Sequence, residues 1–191
     1  MPRMQYVVSF ALLVALVAWM VGVYNQLDHL RNVVCSCWGQ WCRATHRRNE
    51  CLADFAAVFA HFLPHEDPLP GRLMRMAEDS DRSLALVPEP RWSREHGFLG
   101  GAEQLLRRAV AQSVQLVEDS PDMRAHQQLQ LLCSGVSVSL YQQDQLASLF
   151  NHAAVEYNAA LAAPAGRLLA PLFGFAEADT LEWDKKDLRS A

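Results

Sequence analysis

Cys42 and His46 stand four residues apart, and so do His61 and His65. On a helix that spacing puts both side chains on one face, where two ligands can hold one metal ion. A structural zinc site needs roughly four such ligands, and no C-x-x-C pair supplies the others. Cys37 and Cys51 fall in an apolar seam, where a thiol serves as a small hydrophobe. Pro64 interrupts the helix between His61 and His65, no H-E-x-x-H frame exists, and His65-Glu66-Asp67 reads as a helix end followed by a turn. A metal-binding regulator or enzyme built on Cys42 and His46 is therefore the alternative reading rather than the leading one. No phosphate loop, nucleophile motif or paired carboxylate constellation is present, so no catalytic residue, metal ligand or cofactor is expected.

Arg48, Asn151 and Asn158 are the residues whose placement suggests partner binding. Arg48 is the single charge in an otherwise apolar seven-residue series. The favoured expectation is that the seam turns outward there and the side chain snorkels to water. The alternative is a buried, register-fixing pair, with Glu156 or Glu118 as the carboxylate. Asn151 and Asn158 lie seven apart beside another seam and present two amides along one edge. They suit hydrogen bonding between helices or, on the sharper reading, recognition of a partner helix.

The elements that must position these residues begin with a membrane span. Tyr6 to Val23 run for eighteen positions without a charge, preceded by one basic residue, Arg3. As a helix this stretch is roughly 27 Å long, close to the ~30 Å hydrocarbon core. No A-x-A-like cleavage site follows it, so residues 1–24 read as a retained anchor rather than a removed signal peptide. Arg31, Arg43, Arg47 and Arg48 follow the span with few acids among them, which favours a cytoplasmic body on an inner membrane. Five cysteines, an odd number crowded mostly into one helical segment, suit reduced thiols in that compartment.

Beyond the span, Leu27, Val34, Trp41, Arg48, Phe55 and Phe62 repeat every seven residues, and Leu30, Cys37, Ala44, Cys51 and Val58 repeat at an offset of three. No proline intervenes between Arg3 and Pro64, so the membrane helix is expected to continue to about Phe62. A short helical stretch over 69–82 precedes a loop rich in proline and glycine. A second helix starts near Ala102, with Leu105, Leu106, Ala109, Val110, Ser113, Val114 and Val117 on its apolar face and Arg107 and Arg108 opposite. Ser120-Pro121-Asp122 is a start signal for a helix reaching about Ala162, whose seam holds Leu129, Leu132, Val136, Leu146, Phe150, Ala153, Tyr157 and Ala160, with Ser139 and Gln143 as polar breaks. No strand pattern occurs. The expected fold is all-α: an N-terminal transmembrane helix continuing into an antiparallel bundle of three to four helices over 25–175, followed by a charged, disordered tail over 176–191.

This order of parts resembles the LemA family of bacterial membrane proteins. YNQLDHLRN just past the span is similar to that family's Tyr-Asn, Leu and Arg-Asn pattern; Trp38, the Arg47-Arg48 pair, Leu52 and His65-Glu66 fall where the family has corresponding residues. SPDMRAHQQLQLL resembles its Tyr-Pro-Asp-Leu-Lys-Ala segment. Phe150-Asn151 and Tyr157-Asn158 resemble its doubled Tyr-Asn heptad, and PAGRLLAPLFGF its closing Phe-Pro-Gly segment. The likeness runs to Phe175. The chain departs from the family at Leu52-Ala53-Asp54-Phe55, in place of Ile-Pro-Asn-Leu, and between Leu140 and Leu149, where a Glu and an Arg are missing. It resembles a divergent member.

The resemblance implies a membrane-anchored helical bundle of poorly defined biochemical function, some of whose relatives are associated with organelle-like bacterial membranes. The expected role is a non-enzymatic scaffold or protein-interaction module. Its expected partners are the bilayer, through residues 6–23, and an unidentified membrane or cytoplasmic protein, with a homo-oligomer as a further option. A net charge of −4 offers no electrostatic footprint for nucleic acid.

Overall fold

A computed structural model describes residues 2–64, 66–87, 89, 90, 92 and 98–181, with the side chains of 2–5 and 98–100 not described. Among these residues the chain is all-helical, with no strand. The helices are α1 (Pro2–Phe59), α2 (Leu69–Ala85), α3 (Phe98–Asp119), α4 (Pro121–Ala125), α5 (Gln127–Ala162) and α6 (Pro164–Phe173), with one 3-10 turn at Ala60–Phe62.

α1 is continuous across 58 residues because nothing in it breaks the backbone ladder between Pro2 and the prolines after Leu63. Its first part, from Tyr6 to Trp19, is exposed on every side. An 18-residue stretch there has a mean hydropathy of 2.4 and buries none of its residues, so this helix is long and apolar enough to cross a membrane. From Leu27 the burial becomes periodic. Leu27, Val34, Trp41 and Phe55 are buried, as the seven-residue spacing predicts, and so is Arg48, while Phe62 at the end of that series is only partly buried. The second buried line is Trp38, Thr45, Leu52 and Phe59, offset by four. The expected line at an offset of three, Leu30, Cys37, Cys51 and Val58, is only partly buried except at Ala44.

α5 packs along this periodic part of α1. Phe62 meets His126, Cys51 meets Ser139, Thr45 meets Gln143 and Trp38 meets Phe150. Low numbers on one helix pair with high numbers on the other, so the two run antiparallel. The core falls into two apolar clusters. One, around Phe55, Phe59, Leu73, Leu106, Val110, Leu129 and Val136, joins α1, α2, α3 and α5. The other, around Leu27, Val34, Trp38, Phe150, Ala154 and Tyr157, lies nearer the exposed apolar part of α1 and takes in Ala170 and Ala178.

Several boundaries differ from the sequence reading, among them the start of α3 at Phe98, inside the expected loop, rather than near Ala102. The helix expected from Pro121 is interrupted: α4 ends at His126, whose Nδ1 then caps α5 by accepting the amide of Leu129 at 3.3 Å. PAGRLLAPLFGF forms α6, and Gly166 lets it fold tightly back on α5, since a Cβ there would meet the carbonyl oxygens of Ala160 and, at 2.7 Å, Leu161. Gly174 ends α6 with φ at 69°, a left-handed cap that glycine adopts without a Cβ penalty. The segment after it is not wholly disordered: residues 176–181 lie extended against α5, and Ala178 is buried. The rest of the expected tail, 182–191, lies outside the described residues, as does His65.

Candidate functional site

Arg48 is fully buried, contrary to the expected snorkel. Burying a guanidinium is tolerable only if its five donors are all satisfied, and here they are. Nε and Nη2 donate to Asn49 Oδ1 at 3.1 and 2.7 Å, Nη2 also donates to Ser80 Oγ at 3.1 Å, and Nη1 donates to Glu103 Oε1 and, at 3.0 Å, to Gln143 Oε1. Its carboxylate partner is Glu103 of α3, not Glu118 or Glu156.

A second cation completes the cluster. Arg107, one turn beyond Glu103, donates to Glu103 Oε1 at 3.1 Å and to Gln143 Oε1 at 2.9 Å. It also stands 2.7 Å from Asp144 Oδ1, in an ion pair not aligned as a hydrogen bond. Arg107 therefore belongs to the interior, not to the solvated face that the sequence suggested, whereas its neighbour Arg108 is exposed. Gln143 Nε2 donates to Thr45 Oγ1 at 2.9 Å, and that hydroxyl donates to the carbonyl of Trp41 at 3.0 Å. Asn49 Nδ2 donates to Asp81 Oδ1 at 2.7 Å. Burial pushes the Arg48 pKa down, while the charge of Glu103 and its hydrogen bond oppose that shift.

Each of the four helices contributes to this layer at a regular seam position. Arg48 lies between Trp41 and Phe55, Ser80 seven after Leu73, Glu103 seven before Val110, and Gln143 midway between Val136 and Phe150. A slip of one heptad between α1 and α5 would set Arg48 against Val136 or Phe150 and strand its charge in hydrocarbon. The layer thus fixes register. Sequence reading found Arg48 and the polar break at Gln143 but missed Glu103, Arg107, Ser80, Asn49 and Asp81. Stepping back seven residues from Val117 to Val110 and again to Glu103 was the available signal.

A pocket of about 240 Å³ opens beside the layer between α1, α2 and α3. Trp41, Met76, Leu84, Leu105 and Leu106 give it largely apolar walls, and Thr45, Ser80 and Glu103 at its edge already bond within the cluster. Leu105, expected in the core, is exposed here.

Cys42 and His46 differ in their surroundings, and Cys42 is the more buried of the two. His46 is exposed; its Nδ1 lies 3.2 Å from Asp81 Oδ1 and its Nε2 3.5 Å from Glu50 Oε1. The bond to Asp81, then the Asp81 charge, raise its pKa. Burial pushes the Cys42 thiol up to about 11, which keeps it protonated at neutral pH and makes it a poor nucleophile. Among the described residues no group of three or more His, Cys, Asp or Glu side chains is placed to hold a metal ion.

Asn151 and Asn158 form a second polar site on α5, and what they hold is a later segment of the chain itself. Asn158 donates to the Ala178 carbonyl and accepts from its N–H, both at 2.8 Å. Asn151 does the same with Leu181, at 2.9 and 2.7 Å. Between them Tyr157 Oη donates to the Ala176 carbonyl at 3.0 Å. Comparison of the chain with protein-family models, with curated proteins and with solved structures gives no match.

Proposed function

We propose that this protein is a single-pass, membrane-anchored scaffold or interaction module of the LemA type, with its helices past the span arranged as an antiparallel bundle and its body on the cytoplasmic side of a bacterial inner membrane. The observation that carries the reading is the contrast within α1: Tyr6 to Trp19 expose apolar side chains on all sides, while Leu27 to Phe59 bury theirs against protein. An all-round apolar helix of that length is at home in hydrocarbon and not in water. The basic residues following the span support a cytoplasmic body. The interior polar layer supports a structural rather than catalytic role, because its donors are spent on one another.

Fractionation of full-length protein tests the anchor. The chain should stay with membranes through a carbonate wash, with Met1 to Tyr24 retained; a soluble product starting near residue 24 would refute it. Crosslinking in intact membranes should then capture a partner protein on the body. Stoichiometric zinc in detergent-purified protein, lost when Cys42 and His46 are both replaced, would favour the metal-binding alternative instead.

A further inference from the structure

Asn151 and Asn158 rise about 10.5 Å apart along α5, and three residues of extended chain span about 10 Å. The two amides therefore match residues i and i+3 of an extended peptide, here Ala178 and Leu181. Each amide pairs with both the N–H and the C=O of one residue, and Tyr157 adds a bond to a third carbonyl. All five bonds address backbone atoms. They read the extended shape of the occupant and none of its side chains, so they do not specify that the occupant be this chain's own segment.

The apolar surface beneath selects side chains, with Ala178 5% exposed and Leu181 partly buried. That surface takes a small residue at the first position and an aliphatic one three later. The resident strap begins immediately after the left-handed cap at Gly174.

We propose that the amide edge of α5 is a peptide-binding site for an extended segment of a partner protein, carrying a small residue and an aliphatic residue three positions on, and that residues 176–181 occupy it until such a segment displaces them. The proposal deepens the interaction-module reading and rests on it. Anchoring is tested separately by carbonate extraction, so an anchored protein whose edge takes no peptide would refute this proposal alone.

The probe is a capped, fluorescent peptide with the sequence of residues 175–181, titrated onto full-length protein in nanodiscs. In wild type the tethered strap competes at high effective concentration. Replacing Ala178 and Leu181 together by proline removes both N–H donors of the strap and leaves the edge intact. That variant should bind the peptide at least about ten-fold more tightly than wild type, because the competing strap is weakened. Adding Asn151→Ala and Asn158→Ala should abolish binding, and a peptide N-methylated at the residues matching Ala178 and Leu181 should not bind at all. Equal binding of the N-methylated peptide, or none by a proline variant of native helicity, overturns the proposal. A proline variant that forms dimers and excludes peptide overturns it in favour of strap exchange between copies. Should the proline variant not fold, amide exchange on wild type decides: excess peptide should speed exchange at Ala178 and Leu181, and unchanged exchange overturns the proposal.

Discussion

The two parts of α1 present opposite surfaces: no charge interrupts Tyr6 to Val23, whereas Asp28, His29 and Arg31 follow closely on Leu27. Between Tyr6 and Trp19 the side chains face outward all around the helix, with Leu13 56% exposed. Past Leu27 the apolar residues collect on a stripe, and Val34, Leu52 and Phe55 lose all exposure. The difference lies in arrangement, not in hydropathy alone. A helix that is apolar all round needs a solvent without water; one with a stripe needs a second helix. The protein-facing part carries something the exposed apolar part lacks, a charged layer in mid-seam, which a purely apolar surrounding could not satisfy.

The contrast predicts opposite responses to truncation. Phe150 is buried against the Trp38 ring, with centroids 5.3 Å apart, so Phe150→Ala should cost about 3–5 kcal/mol in thermal or denaturant unfolding of the body. Leu13→Ala should leave that transition unmoved, because Leu13 touches no packed core. An equal loss from both changes would erase the distinction between the two parts.

The polar layer sharpens it further. Glu103→Ala leaves Arg48 buried without its carboxylate and should destabilise by about 3–5 kcal/mol. Replacing Arg48 and Glu103 together by methionine should cost less than Glu103→Ala alone, since Arg107 keeps Asp144 and no orphaned charge remains. Arg107→Gln forfeits interior bonds to Glu103 and Gln143 and should cost about 1–3 kcal/mol, against less than about 0.5 kcal/mol for Arg43→Gln or Arg108→Gln at the surface.

The smallest effect is a pH dependence. The folded pKa of exposed His46 is raised by Asp81, so its contribution to stability is full below the ordinary histidine value of 6.5 and fades as the pH rises through the higher folded pKa. His46→Ala should flatten the stability profile across that window. Stability that instead rose with pH only when His46 is present would invert the sign.

How much of this was legible follows from what periodicity can report. The apolar run from Tyr6 and the length of α1 follow from missing charges and missing prolines, and the lines through Leu27, Val34, Trp41 and Phe55 and through Val136, Phe150 and Tyr157 from seven-residue spacing; each is a statement about one helix. Arg48 and Gln143 were visible as polar interruptions, but that they face each other depends on how two helices are set side by side. Glu103 was hidden because it falls inside the expected helix but one heptad ahead of Val110, outside an apolar stripe that begins at Leu105. Arg107 was misplaced because polarity was taken for exposure, although Glu103, Gln143 and Asp144 make its burial tolerable. The strap was hidden for a different reason: its alanine, threonine and acids have the composition of a disordered tail, and its order comes from backbone bonds to Asn151 and Asn158.

The most direct test of the account is a nitroxide scan along α1 in lipid vesicles, one label at a time from residue 6 to 59, in a chain whose native cysteines are replaced. Uniformly high collision with dissolved oxygen is expected through residues 6–23, then from Leu27 onward a 3.6-residue oscillation with minima at Val34, Trp41 and Phe55. An oscillation that begins at Tyr6, or access to a water-soluble relaxant throughout residues 7–20, would contradict it.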